Sequence, residues 1–217
     1  MTIVDLSHPL EPGMPSYPGL PEPLFETFFT HEESATRGTY APGTTFQIAS
    51  YRLGSNTGTY VDAPFHRHPD GVDLRSLPLE RLVHLPGIVI TSLREGPISP
   101  HAFAGTDLRG KAVLIRTDWS DHWGSSGYFR SGPFLPADTC RLLVETEVAL
   151  VGIDCANIDD MNDPSRPAHT LLLAAGIPIV EHLRNLDALP PAGFRFHAAP
   201  PAIAAGTAFT VRAYAVI

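Results

Sequence analysis

The apolar segment at residues 112–117 places the strongest constraint on the fold. It reads Ala-Val-Leu-Ile-Arg-Thr, and such a near-continuous apolar run is typical of a strand that is buried on both faces. A helix pattern follows at 135–147, with Pro136 near its start, and residues 150–154 have the pattern of a short parallel strand. The order strand, loop, helix, strand predicts an α/β layer arrangement.

Shorter patterns predict the rest of a mixed sheet. Strands are expected at residues 3–6, 46–53, 87–91 and 177–180, two antiparallel strands at 194–198 and 208–216, and helices within 74–85 and at 167–176. The proline-rich residues 11–19 cannot form regular structure and are expected to be a surface arm. Because prolines and glycines are spread along the chain rather than gathered in a linker, we expect a single domain over residues 1–217.

Composition excludes several classes of function. The chain has 217 residues, 43% of them hydrophobic, which is enough for a substantial core. A formal charge of -8 without a Lys/Arg cluster argues against a nucleic-acid partner. No apolar run is long enough for a membrane span and the first residues lack a signal-peptide pattern, so the expected location is cytoplasmic. Cys140 and Cys155 are isolated, which argues against a disulfide framework or a zinc ribbon.

Polar side chains in two segments are suited to metal or acid–base chemistry. Asp62 and His66 lie in the segment 54–66, which follows a predicted strand, while His169 and Glu181 are on a predicted helix and at the end of the next strand. Imidazole nitrogens and carboxylate oxygens are ligands of zinc and manganese. Taken alone, Asp62 is better explained as a helix cap near Pro64 than as a ligand, and Glu181 is consistent with a solvated strand end.

The two segments together resemble one known family. Residues 56–66 read Asn-Thr-Gly-Thr-Tyr-Val-Asp-Ala-Pro-Phe-His, against the signature His-x-Gly-Thr-His-x-Asp-x-Pro-x-His. Residues 169–181 reproduce a second family pattern, His-x-x-Leu-Leu-x-x-Gly-Ile-x-Ile-Val-Glu. Residues 152–159, which precede this pattern in the chain, are similar to a segment that lines the pocket in the family. The chain thus resembles the cyclase-like metal-dependent hydrolases, which include bacterial kynurenine formamidase and isatin hydrolase.

The resemblance implies a swivelling β/β/α domain with a mixed sheet, a small-molecule substrate and a homodimer or homotetramer. Asn56 and Tyr60 stand where the first two metal-binding histidines of the signature would be. A neutral amide oxygen is a weak ligand, and a phenol must lose a proton of pKa about 10 before it can bind a metal. We therefore expect at most one divalent ion, zinc or manganese, on Asp62, His169 and Glu181.

Three interpretations remain open. In the first, the protein is an arylformamidase-like hydrolase of a carbon–nitrogen or cyclic amide or ester bond in a small, partly aromatic substrate, with one ion and with His66 as the proton-transfer residue. In the second, His66 and His169, oriented by Asp62 and Glu181, perform metal-free acid–base chemistry such as lactone opening, cyclisation or dehydration. In the third, the same scaffold only binds a small molecule.

Further residues are candidates for the pocket. The loop 118–124 contains Trp119, His122 and Trp123 at the end of a predicted strand, where they would wall a pocket for a flat substrate. An equally weighted alternative is that both tryptophans cover the core. Asn56 is expected to contact substrate, and Tyr60 to take part in catalysis by donating a hydrogen bond to a developing oxyanion.

Overall fold

The computed structural model describes residues 1–130 and 132–217. Its strands are β1 (Ile3–Asp5), β2 (Leu24–Phe29), β3 (Ile48–Arg52), β4 (Tyr60–Asp62), β5 (Leu85–Thr91), β6 (Ala112–Arg116), β7 (Leu150–Ile153), β8 (Ile179–Glu181), β9 (Ala192–His197), β10 (Ala208–Thr210) and β11 (Tyr214–Val216). The helices are α1 (His31–Thr36), α2 (Ala137–Glu145) and α3 (Pro167–Ala174). Short 3₁₀ turns include Pro64–His66, Leu79–Arg81 and Trp119–His122.

One mixed sheet carries most of these strands. Its order is β1-β11-β9-β5-β6-β7-β8-β4-β10. The central strands β5, β6, β7 and β8 are mutually parallel, whereas β9 and β4 flank them in antiparallel pairing. The predicted α/β fold with a mixed sheet is confirmed.

Strand β6 divides the two hydrophobic cores. Val113 and Ile115 pack into the core that includes α2 and α3, while Ala112 and Leu114 point into the core on the other side of the sheet. All four side chains are fully buried. Because successive residues of a strand face opposite sides, a continuous apolar run satisfies both cores at once.

Both helices predicted in the second half of the chain are present. Helix α2 begins at Ala137 directly after Pro136, which has extended backbone angles. Helix α3 has Pro167 as its first residue, where the absence of an N–H is harmless. Gly176, with φ +70°, follows its end and lets the chain turn into β8.

The predicted helix within residues 74–85 is wrong. Only the 3₁₀ turn Leu79–Arg81 forms there. Pro78 has extended angles (ψ 133°) and His84 a positive φ of 55°, so neither continues a helix, and β5 already begins at Leu85. Strand β5 needs a glycine at Gly87, because a Cβ there would lie 2.0 Å from the ring of Phe194 on β9.

The single strand predicted at 208–216 is in fact two short strands that lie near opposite edges of the sheet. β10 pairs with β4 at one edge, whereas β11 lies between β1 and β9 near the other. Between them, the backbone N–H of Val211 donates to Thr59 and the carbonyl of Ala213 accepts from Leu6. Alternation alone shows that residues are extended but does not show where the chain changes partner.

The strand predicted at 46–53 is β3, but it does not lead into the main sheet. It pairs only with β2, which was not predicted, and the two form a separate antiparallel hairpin. Helix α1 was also not predicted, although Thr30 and Glu33 form a capping box and the Thr-x-x-Glu spacing is the sequence pattern that predicts one. The site therefore starts from β4 rather than from the end of β3.

Across residues 1–130 and 132–217, the structure contains no helix whose length and hydropathy would let it cross a membrane.

Candidate metal centre and catalytic site

The register between β4 and β8 brings the two sequence segments together. The strands are antiparallel, with Tyr60 opposite Glu181 and Asp62 opposite Ile179. Side chains two residues apart on a strand share a face, so Tyr60 and Asp62 project to the same side. Tyr60, Asp62 and Glu181 are all buried. A phenol and two carboxylates are thereby concentrated at one place in the sheet.

Glu181 is held by hydrogen bonds to both of its carboxylate oxygens. The backbone N–H of Ile158 donates to Oε1 at 2.6 Å, and the Tyr60 hydroxyl donates to Oε2. Burial raises the pKa of Glu181 above its usual range, and the nearby Asp62 carboxylate acts in the same direction. Burial also raises the pKa of Tyr60, and the charges of Glu181 and Asp62 raise it further. Tyr60 is therefore a neutral hydrogen-bond donor.

His169 is oriented by Asp159. The Nδ1 atom of His169 lies 2.6 Å from Asp159 Oδ2, and the Asp159 carboxylate also accepts from the backbone N–H groups of Ala168 and His169. Because this carboxylate only accepts, Nδ1 of His169 carries the proton and Nε2 faces the carboxylates of the site. Burial lowers the pKa of His169, but its hydrogen bond to Asp159 and the nearby carboxylates of Asp62 and Glu181 outweigh burial and raise it.

Three donor atoms lie close enough together to be able to hold one divalent ion. The ligand atoms of Asp62, His169 and Glu181 all lie within 4.8 Å of one another. His169 Nε2 is 3.7 Å from Asp62 Oδ2 and 3.9 Å from Glu181 Oε1. Tetrahedral ligands at ~2.0–2.2 Å from zinc would be roughly 3.3–3.6 Å apart.

Two further observations support a fit to a metal ion. Asp62 Oδ2 is buried and has no hydrogen-bond partner among the described residues, which is the state expected of a ligand atom. The Asp159 carboxylate on the far nitrogen of His169 is the outer partner that metal-binding histidines usually have. The residues present therefore suit a single ion.

His66 lies beside this cluster and closer to solvent. Its Nδ1 atom is 3.6 Å from Asp62 Oδ1, its ring centre is 5.6 Å from that of His169, and its side chain is 32% exposed. Asn56 donates from Nδ2 to Asp62 Oδ1 over 3.5 Å. Asp62 is not a helix cap, since Ala63 precedes the 3₁₀ turn Pro64–His66 and no side chain caps it.

These residues open into a cavity of about 430 Å³. Its lining includes Asn56, Tyr60, His66, His169 and Glu181. Residues 17–20, where the proline-rich arm ends, also line it. The volume is that of a site for a small organic molecule.

Comparison with known proteins decides the family. The Cyclase family model matches residues 4–160, more than half of the chain. The chain belongs to this family. Kynurenine formamidase of Paracidovorax citrulli is 29% identical over 218 residues, which cover 96% of this chain and 94% of that protein.

Solved structures that are similar to this Cyclase-family protein include two hydrolases. Isatin hydrolase A from Labrenzia aggregata, bound to benzyl benzoate, has a TM-score of 0.85 and 28% identity over 99% of this chain and 93% of its own. A structure described as a predicted metal-dependent hydrolase from Bacillus stearothermophilus has a TM-score of 0.78 and 25% identity, covering 99% and 97%. The recognition of the family from its two motifs is confirmed, and the relatives indicate that the chain is a hydrolase.

Three predicted pocket residues of this Cyclase-family protein lie elsewhere. Trp119, His122 and Trp123 are not among the residues that line the cavity. Trp119 donates from Nε1 to the carbonyl of Tyr128, and Trp123 stacks on His8 with ring centres 3.9 Å apart. They follow β6, which β7 separates from β8, so they start about two strand spacings (~10 Å) from Glu181. The sequence shows a strand end but not the order of strands.

Sequence reasoning also missed residues that line the cavity. Arg67 follows His66 of the signature, and Arg166 precedes the first residue of α3. Asn157, in the segment noted for its family resemblance, lines the cavity as well, whereas Asp154 instead accepts hydrogen bonds from the backbone of Thr117 and Asp118. The position of Arg67 beside a motif histidine was the available signal.

Proposed function

We propose that this protein is an arylformamidase-like hydrolase that cleaves the carbon–nitrogen bond of a small formamide or cyclic amide. One zinc or manganese ion is held by Asp62, His169 and Glu181, and His66 transfers the proton. The observation that carries the proposal is the convergence of three donor atoms beside a partly exposed histidine. One of these atoms, Asp62 Oδ2, is buried without a hydrogen-bond partner in the described part of the chain, and His66, His169 and Glu181 line one cavity.

Separate residues have separate roles in the proposed reaction. A divalent ion held by the three ligands would polarise the scissile carbonyl and activate water. His66 is placed to take a proton from the attacking water and to return it to the leaving nitrogen, with Asp62 stabilising the imidazolium through the 3.6 Å approach to Nδ1. Tyr60 orients Glu181 by donating to it, because its hydroxyl is committed to that carboxylate.

Elemental analysis of the chain purified without chelator or nickel affinity resin tests the metal site. We expect about one zinc or manganese per chain, and loss of the ion in His169→Ala. Failure to retain metal after incubation with excess zinc or manganese would overturn the metal-dependent mechanism.

Turnover of a panel of formamides, cyclic imides and lactones tests the reaction and the role of His66. We expect His66→Ala to lower kcat by about 10²–10⁴-fold. The matched control is His68→Ala, since His68 is two residues away but contacts the carbonyl of Thr170 and does not line the cavity. An unchanged rate in His66→Ala would remove this residue from catalysis.

One observation favours metal-free acid–base chemistry as a second candidate. Both oxygens of Glu181 already accept hydrogen bonds, from Tyr60 and Ile158, as in a structural carboxylate. In that case His66 and His169 would move protons in a lactone opening or cyclisation. Full turnover by the metal-free protein would favour this candidate over the first.

Assembly and location stay predictions. A homodimer or homotetramer is proposed from the family resemblance, and a cytoplasmic location from the sequence. Light scattering of the purified chain would test the assembly.

A further inference from the structure

Two arginines share the rim of the cavity. Arg67 follows the 3₁₀ turn that carries His66, and Arg166 immediately precedes α3, which carries His169. Both line the cavity. The side chain of Arg67 donates from Nη2 to the carbonyl of Ser165, the residue before Arg166, and from Nε to the hydroxyl of Thr170. Arg67 is thereby tied across the site to the segment that holds Arg166.

Neither guanidinium is neutralised within the described part of the chain. Their hydrogen bonds go to neutral oxygens, which for Arg166 is Oδ1 of Asn157 at 3.3 Å. Elsewhere in this acidic protein, Arg109, Arg116 and Arg212 form ion pairs with carboxylates. A guanidinium has five N–H donors, so both residues keep donors free for a ligand.

The surrounding carboxylates do not remove this positive charge. Asp163 is near enough to Arg166 for their charges to interact, but its carboxylate accepts from the backbone and hydroxyl of Ser165. Asp159 is bonded to His169 below the rim. Two like charges at one rim repel each other, and an anion bound between them would relieve that repulsion.

We propose that Arg67 and Arg166 bind a carboxylate of the substrate, so that the enzyme selects anionic amides over neutral ones. The planar guanidinium matches a carboxylate in shape and charge. The body of the substrate would then lie between His66 and the arm wall at Tyr17 and Leu20. As a statement about selectivity for amides this inference rests on the proposed function, whereas carboxylate binding at the rim is measurable without turnover.

Binding of benzoate and benzamide, which have nearly the same shape, gives the decisive test. By calorimetry on the full chain with its bound metal, we expect benzoate to bind at least ~10-fold more tightly than benzamide. The variant Arg67→Gln/Arg166→Gln should bring the ratio of the two affinities to about one. The matched control is Arg94→Gln, an exposed arginine outside the cavity, which should keep the wild-type ratio.

Two results would overturn the proposal. Equal affinity of the wild type for benzoate and benzamide would mean that the rim does not select a charge. A preference for benzoate that survives in the double variant would mean that the carboxylate binds to the ion held by Asp62, His169 and Glu181 instead of to the arginines. Neither result bears on whether formamides are hydrolysed, so the proposed function stands or fails separately.

Kinetics supply a second readout if formamides are substrates. A formanilide with a ring carboxylate is compared with the same compound bearing a carboxamide. The arginine variant should raise KM for the anionic compound by at least ~10-fold while kcat changes much less, because the lost contact acts on a non-reacting group. A fall in kcat alone, with KM unchanged, would contradict a role in binding the carboxylate.

Discussion

The two walls of the site differ in how firmly their polar groups are held. The wall formed by β8 and α3 has Glu181 bonded at both oxygens and His169 fixed by Asp159. The other wall is formed by the signature segment, residues 56–66, and is called the signature wall. Here Asp62 has one buried oxygen without a partner among the described residues, and His66 is partly exposed. The first wall is pre-organised for binding, whereas the second keeps its groups available for a ligand and for proton transfer.

The same contrast appears in how each wall follows the family patterns. Residues 169–181 have both the histidine and the glutamate that the resemblance predicts for the second motif, whereas residues 56–66 have Asn56 and Tyr60 where it predicts two histidines. Tyr60 now donates to Glu181, so one substitution on the signature wall supports the other wall. Tyr60 is a neutral donor at a position where the family resemblance predicts an imidazole, and three side chains remain that could hold one ion.

The largest effect is expected when histidines are placed at positions 56 and 60, which tests the difference between the two walls directly. In Asn56→His/Tyr60→His, the signature wall gains two imidazoles beside Asp62, so we expect the zinc content to rise above that of the wild type, toward two ions per chain. Elemental analysis after incubation with zinc and gel filtration measures this. An unchanged content would show that the signature wall has diverged at more than these two positions.

Removing the hydrogen-bond partner of His169 should weaken metal binding by the wall formed by β8 and α3. Asp159→Asn takes the charged acceptor away from Nδ1, so we expect zinc affinity to fall by about 10–100-fold. Competition with a chromogenic chelator gives the affinity. Asp154→Asn is the matched control, because this buried carboxylate bonds Thr117 and Asp118 instead. Equal loss in both variants would mean a general effect on folding.

Deleting the bond between the walls should cost stability. Tyr60→Phe leaves Oε2 of the buried Glu181 without its donor, so the free energy of unfolding should fall by about 1–3 kcal/mol. Urea unfolding measures it, with Tyr51→Phe as control because Tyr51 is 63% exposed. A loss no larger than the control's would show that Glu181 finds another partner.

The smallest effect is expected at Asn56. Its bond to Asp62 is long, 3.5 Å, and the residue is only half-buried. Asn56→Ala should therefore change the free energy of unfolding by no more than about 0.5 kcal/mol in the same urea experiment. A loss above about 1 kcal/mol would show that Asn56 holds the signature wall more firmly than its geometry indicates.

The sequence predicts well the central sheet and the meeting of the two motifs at one place, for physical reasons. A fully apolar run such as residues 112–117 has few alternatives to a buried strand, and two separate motifs predicted that Asp62, His169 and Glu181 share one site. The position of Trp119 and Trp123 depends on strand order, which leaves no local pattern. The roles proposed for Arg67 and Arg166 depend on the absence of ion pairs to them among residues 1–130 and 132–217, and only the folded structure shows which carboxylates are near.

The pairing of β4 with β8 also bears on how the enzyme matures. Tyr60 and Glu181 are 121 residues apart in the chain, yet they meet through one short antiparallel register. A contact of such long range forms late, after much of the chain has been ordered. During synthesis, a nascent chain whose signature segment has already emerged would have no functional site until residue 181 leaves the ribosome, so the enzyme would stay inactive for most of its translation.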